Sequence, residues 1–233
     1  MSNVAEHSDL PGVARLLSLS DGVVAIALTL LVLNLHVPTT IHHSNSAPDL
    51  ASALATDGPA FTSYIVSFYV IAQFWLAHHR VFRLVAGHDE GLAWWNFAFL
   101  FTITVMPFTS DLLGEFSNNP LAVDIFALNL LLAALSTQLV LIFGRRKKML
   151  VANIDPIQTR VGQIRSFGVI AVVAASMGVA WINTDAAKYM WILLVAVPRI
   201  ADRIAGRPSG GAGLAPRLTA TPNSGPASSA PSP

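Results

Sequence analysis

Arg15, Ser20 and Asp21 stand at the head of an apolar run that continues to Leu33. A charge near the centre of a spanning helix is unfavourable by roughly 2.5–3.5 kcal/mol on insertion scales, so such residues face a bundle interior and need partners. Candidates lie further along: Trp75, His78 and His79 close a second apolar run, and Asn96 follows Trp94-Trp95 at the start of a third. An indole, two imidazoles and a carboxamide can hold Ser20 and Asp21 in a polar clasp between helices, each hydrogen bond contributing about 0.6–2 kcal/mol. The same groups admit a sharper chemistry, a proton relay through Asp21 and His78, because chains of Asp, Glu and His mark proton pathways in membranes. Metal binding is the weakest of the three options. Adjacent histidines on a helix point about 100° apart and suit one ion poorly, and His42-His43 lacks a third ligand at helical spacing.

The elements that must position these residues are membrane-length helices. Of 233 residues, 53% are hydrophobic and only 12% charged, against about a quarter charged in soluble domains. The chain therefore reads as an all-α, polytopic membrane protein. Six apolar segments stand out, at 16–37, 61–82, 92–113, 122–143, 167–181 and 188–204, most of them near the roughly 20 residues that cross about 30 Å of hydrocarbon. All of the 14 basic residues except Lys188 fall on one side if the spans are even in number, so the positive-inside rule predicts six helices with both termini in the cytosol. The first run is too long for a signal peptide core and lacks a basic flank, so it is expected to remain in the mature chain. Residues 1–14 form a cytosolic segment, 15–205 the helical domain, and 206–233 a Gly/Pro/Ser/Ala/Thr-rich tail expected to be disordered. The polar outer loop holding His42-His43 and Asp49 is expected to be mobile. Net charge is +1 and cysteine is absent, which gives no reason to propose nucleic acid as a partner and excludes disulfides and thiolate chemistry.

On a helix turning 100° per residue, Ile26, Leu30 and Leu33 fall within roughly 60° of one another, with Gly22 and Thr29 beside them. Ser20 and Asp21 lie well over 100° away from Ile26. One helix can thus turn an apolar stripe and a hydroxyl one way while its polar residues point into its own bundle. Spacing alone leaves two readings of that stripe: ordinary packing or lipid contact, and the wall of an ion path. Pro107 is expected to kink the third helix and leave a carbonyl to be satisfied by a neighbour or water.

At these residues the chain resembles the transmembrane protein 175 family, potassium channels built on six-helix units. That family opens its first helix with an Arg followed four residues later by Phe-Ser-Asp; Arg15, Ser20 and Asp21 match, while Leu19 stands in place of the aromatic. Trp75 with His78-His79-Arg80, and Asn96 with Pro107-Phe108, also match. The resemblance spans about 15–115 and implies a homotetramer in the cell membrane, with four first helices around the path and no carbonyl filter. No Thr-Val-Gly-Tyr-Gly segment is present. By position it places the constriction at Ile26, Leu30 and Leu33 and potassium preference at Thr29. Arg15, Ser20, Asp21, Trp75, His78, His79 and Asn96 become the network that holds the first helix. It implies potassium as permeant ion, no enzyme activity, no cofactor and no metal. A proton-conducting or proton-coupled transporter using Asp21 and His78 is the alternative, disfavoured because the second half holds no repeat of the Ser-Asp motif.

Overall fold

The computed structural model describes residues 10–36, 46–87, 89–151 and 156–194. The chain runs α1 (Leu10–Leu30), a 3-10 turn (Leu31–Asn34), α2 (Ala47–Thr56), α3 (Gly58–Phe82), α4 (Glu90–Glu115), α5 (Pro120–Arg146), α6 (Pro156–Ala180) and α7 (Thr184–Met190). Among the described residues, five stretches are long and apolar enough to cross a membrane: Gly12–Asn34, Gly58–Phe82, Glu90–Glu115, Pro120–Arg146 and Val161–Ala180. The molecule is thus an all-helical, multi-pass membrane protein. The sixth expected segment begins in α7 and is described as far as Leu194; residues 195–204, like the tail at 206–233 and the His42-His43 pair, lie outside the described residues.

Local chemistry sets the helix starts. Asp89 accepts from the Gly91 N–H at 2.7 Å and caps α4, Asn119 accepts from Leu121 N–H at 2.9 Å at the head of α5, and Asn183 accepts from Ala186 N–H at 2.9 Å at α7. Each satisfies a backbone donor that a helix N-terminus leaves unpaired. Prolines occupy the first turns of α2, α3 and α5, where the missing N–H removes nothing.

The central element is α4, which packs on α1, α3 and α5. Helix α1 gives it a regular inner stripe: Val13, Leu16, Ser20, Val24, Ala27 and Leu31 are all buried, the three- and four-residue spacing of one helix face. Small residues bring α3 and α4 close. Ser63 Oγ donates to Ser110 O at 2.8 Å and Ser67 Oγ to Ser110 Oγ at 2.8 Å, and a Cβ at Gly114 would stand 3.0 Å from Ser63 Oγ and 3.1 Å from Ala60 Cα. Asn129 Nδ2 pins α5 to α4 by donating to Thr102 O at 3.1 Å. These are the small-residue contacts and interhelical bonds that hold helices together where lipid removes the hydrophobic drive.

The loops at the basic end are joined by a short antiparallel bridge between Val85 and Leu150, with Val151 N–H donating to Leu84 O at 2.9 Å. At the other end, Lys188 donates to Ser117 O at 3.0 Å and pairs with Asp185 at 2.8 Å. The lysine that departs from the charge rule is thereby neutralised beside the α4–α5 joint.

Three boundaries differ from the sequence expectation. The outer loop is not wholly irregular, because Ala47–Thr56 forms a helix; its Ala/Leu content and Pro48-Asp49 in the first turn are strong local signals. Helix α1 begins at Leu10 instead of 15 or 16, since Pro11 is tolerated in a first turn. It also tightens into 3-10 geometry after Leu30. The fifth helix starts at Pro156, eleven residues before the apolar segment at 167, because charged and polar residues at its basic end continue the helix beyond the hydrocarbon.

Candidate functional site

Two polar groups meet the middle of α1. Ser20 is wholly buried, and so is Asn96. Asn96 Nδ2 donates to Ser20 Oγ at 3.0 Å, and Ser20 Oγ donates to Leu16 O at 2.8 Å within its own helix. Asn96 Oδ1 lies 2.7 Å from His78 Nε2. With that oxygen accepting, Nε2 carries the proton, so every donor in the chain points from α3 through α4 to the α1 backbone. The imidazole is held between aromatic rings, 4.4 Å from Phe82 and 4.5 Å from Phe99 in stacked geometry. Its Nδ1 is buried without a partner.

The second group sits at the edge of the first. Trp75 Nε1–H donates to Asp21 Oδ1 at 2.8 Å, and His79 Nε2 meets the same oxygen at 2.9 Å. Trp75 and His79 are one turn apart on α3 and touch edge to face at 4.5 Å, which is why both reach one carboxylate. Of the seven network candidates, the structure therefore gathers Ser20, His78 and Asn96 in one cluster and Asp21, Trp75 and His79 in another. The Asp21–His78 pair of the relay is divided between them: the aspartate's bonds go to His79 and Trp75, the buried imidazole's to Asn96.

Arg15 is exposed and stands outside both clusters among the described residues. The reason is angular. Eleven residues at 100° bring Arg15 within about 20° of Ile26, so it heads the exposed stripe instead of the buried one.

That stripe is the other face of α1. Ile26 is 60% exposed, Leu30 41% and Leu33 66%, and Leu19 and Val32 are exposed as well. Gly22 lies on it, and a Cβ there would meet nothing within 4 Å. Thr29 Oγ1 donates to Ile26 O at 2.8 Å. With its proton held by the helix, the hydroxyl oxygen turns only lone pairs outward.

Sequence reasoning missed Asn34, whose Nδ2 donates to Pro107 O at 2.7 Å and ties the 3-10 turn that follows α1 to α4. An asparagine closing an apolar run was the available signal. It also missed the outer cavity of about 370 Å³ lined by Asn34, His36, Asp57, Asp111 and Glu115 among others. Among the described residues no group of three or more His, Asp or Glu side chains could hold a metal ion.

The fold and these clusters define a multi-pass helical membrane protein whose first helix is fixed from behind by hydrogen bonds and left uncovered in front. Residues 15–107 match the family described as endosomal/lysosomal potassium channel TMEM175. A potassium channel of Chamaesiphon minutus is 40% identical over 108 residues, 46% of this chain and 52% of that one. A potassium channel of Streptomyces collinus is 37% identical over 102 residues, 44% and 48% of the two chains. The human endosomal/lysosomal proton channel TMEM175 is 32% identical over 118 residues, 48% of this chain and 22% of the human one. The chain thus spans about half the length of the curated bacterial relatives it matches. In three dimensions it resembles the crystal structure of a lysosomal potassium-selective channel TMEM175 homolog from Chamaesiphon minutus, with TM-score 0.69 and 25% identity, over 82% of this chain and 99% of that one.

Proposed function

We propose that this protein is a potassium-permeable cation channel of the cell membrane, assembled as a homotetramer with the exposed stripe of α1 around the path. The observation that carries this reading is the contrast between the two faces of α1: polar residues are consumed behind, while Ile26, Leu30 and Leu33 stand uncovered in front. One such stripe cannot enclose a pore, so several copies must contribute. Rings of branched apolar side chains gate by dewetting, and a small rotation or widening that admits water admits ions. The bacterial relatives named as potassium channels support potassium as the ion.

Cation preference needs negative potential, and the stripe itself carries no acid. Two features supply it. Thr29 presents an acceptor oxygen, and the C-terminal end of α1, the negative end of its dipole, points to the outer mouth. Asp57, Asp111 and Glu115 line the cavity beside that end and raise the local cation concentration. Replacing Ile26 with Ala or Asn tests the constriction: basal current through reconstituted protein rises, and unchanged current removes Ile26 from the path.

A proton pathway has one specific support, the half-exposed Asp21–His79 pair at the basic end, together with vertebrate relatives named as proton channels. It predicts flux that follows a pH gradient in the absence of potassium current.

A further inference from the structure

The pitch of α1 changes at its outer end. Leu31–Asn34 is a 3-10 turn, closed by the Leu35 N–H donating to Val32 O at 3.1 Å. Asn34 ends this turn, and its side-chain bond reaches the backbone of α4 at Pro107, the proline inside that helix. Because 3-10 hydrogen bonds have poorer geometry than α-helical ones and runs of them are short, the turn needs an outside tether to persist.

The pitch decides where Leu33 points. At 100° per residue, three residues leave Leu33 about 60° short of Leu30; at the 3-10 value of about 120°, positions three apart eclipse. Leu31 is wholly buried and anchors the turn from within, while Leu30 and Leu33 are both exposed.

We infer that Asn34 is a positioning residue: its bond to the Pro107 carbonyl holds the outer turn of α1 in 3-10 geometry and so stacks Leu33 over Leu30 on one stripe. The inference rests on reading that stripe as the pore wall. Asn34 lies eight residues beyond Ile26, about 14 Å along the axis at the α and 3-10 rises, and Ser20 and Asp21 lie on the other side of it. The proposed constriction is thus tied by hydrogen bonds at both ends, to α3 and α4 at the inner end and to α4 at the outer one, where the turn also packs on α3. Release of the outer tether lets the turn relax toward α-helix, which turns Leu33 by about 60° away from Leu30 and to within about 20° of the direction of Ile26, and leaves Ile26 and Leu30 in place.

The native chain contains no cysteine, so single introduced thiols report cleanly. Ile26→Cys and Leu33→Cys are each reconstituted with native Asn34, with Asn34→Leu, which keeps volume, and with Asn34→Asp, which keeps shape but removes the donor. The readout is the rate at which a cationic methanethiosulfonate reagent alters the current. The expected result is a rise of about fivefold at position 33 in both Asn34 variants, as the thiol turns toward the direction of Ile26, the population shift that one net hydrogen bond supplies, with the rate at position 26 unchanged. Equal rates at position 33 in all backgrounds, with position 26 reactive, overturn the role of Asn34 and leave the pore reading standing. Slowing at position 33, alone or together with position 26, overturns it too. If Ile26→Cys is itself inert in every background, the pore reading fails first and the inference falls with it. Where Asn34→Leu does not yield folded protein, the Asn34→Asp pair decides.

Discussion

Asn96 and Ser20, 76 positions apart in sequence, meet with no exposed surface and share a hydrogen bond of 3.0 Å between α4 and α1. Each depends on the other, because a buried polar atom without a partner is costly in a bundle core. A double-mutant cycle with Ser20→Ala and Asn96→Leu is expected to give a coupling of about 0.6–2 kcal/mol. Asn96→Leu alone destabilises more than Ser20→Ala, since it also strands the His78 Nε2 proton. Reversible unfolding in detergent measures both; a coupling near zero would mean that the contact does not hold α1.

Asp21 needs only one oxygen for its two partners, Trp75 and His79. Asp21→Asn retains an acceptor there and is expected to preserve assembly, whereas Asp21→Ala lowers the yield of assembled protein on size-exclusion chromatography. In whatever assembles, the potassium-to-sodium permeability ratio stays at the native value. Normal assembly with altered proton dependence would instead favour the proton pathway.

Two glycines separate contacts within the subunit from contacts around it. At Gly114 an added methyl presses on the Ala60 backbone and Ser63, and Gly114→Ala is expected to destabilise by about 1–3 kcal/mol through overpacking. At Gly22 the space is open within the subunit, so Gly22→Ala leaves subunit stability equal or higher by up to about 1 kcal/mol through helix propensity. Thermal melts of the two variants give the comparison, and a loss of stability at Gly22 larger than at Gly114 contradicts it.

Much of this arrangement is written in residue types. Charges and hydroxyls in apolar runs identify Ser20 and Asp21 as residues that need partners, and Trp75, His78, His79 and Asn96 as groups able to serve them. Which pairs with which is not written there. Neighbouring His78 and His79 diverge by about 100° on α3, one toward Asn96 and the other toward Asp21, and that division depends on how α3 is rotated against α1. Arg15 belongs to the motif by spacing yet lies on the opposite face, as its angle to Ile26 dictates. Asn34 escaped notice because its acceptor is a backbone carbonyl, which leaves no mark in the identity of residue 107. Helix α2 was hidden by the polar residues around it, although six of its ten residues are Ala or Leu, strong helix formers.

On the proposed reading, Asp111 and Glu115, which line the cavity beside Asn34, act through their field. The double change Asp111→Asn, Glu115→Gln is expected to lower single-channel potassium conductance at about 0.01–0.1 M salt and to match the native protein at about 1 M, where the screening length shrinks to about 3 Å. A deficit that persists unchanged at high salt would assign these residues a local structural role.

The most direct test of a cation path along α1 is the reversal potential of purified protein in planar bilayers, under opposed potassium and sodium gradients and with a pH gradient imposed separately. The account predicts current that reverses near the potassium potential and is indifferent to the pH gradient. No potassium current, with flux that follows the pH gradient, would contradict it and turn attention to Asp21 and the two histidines.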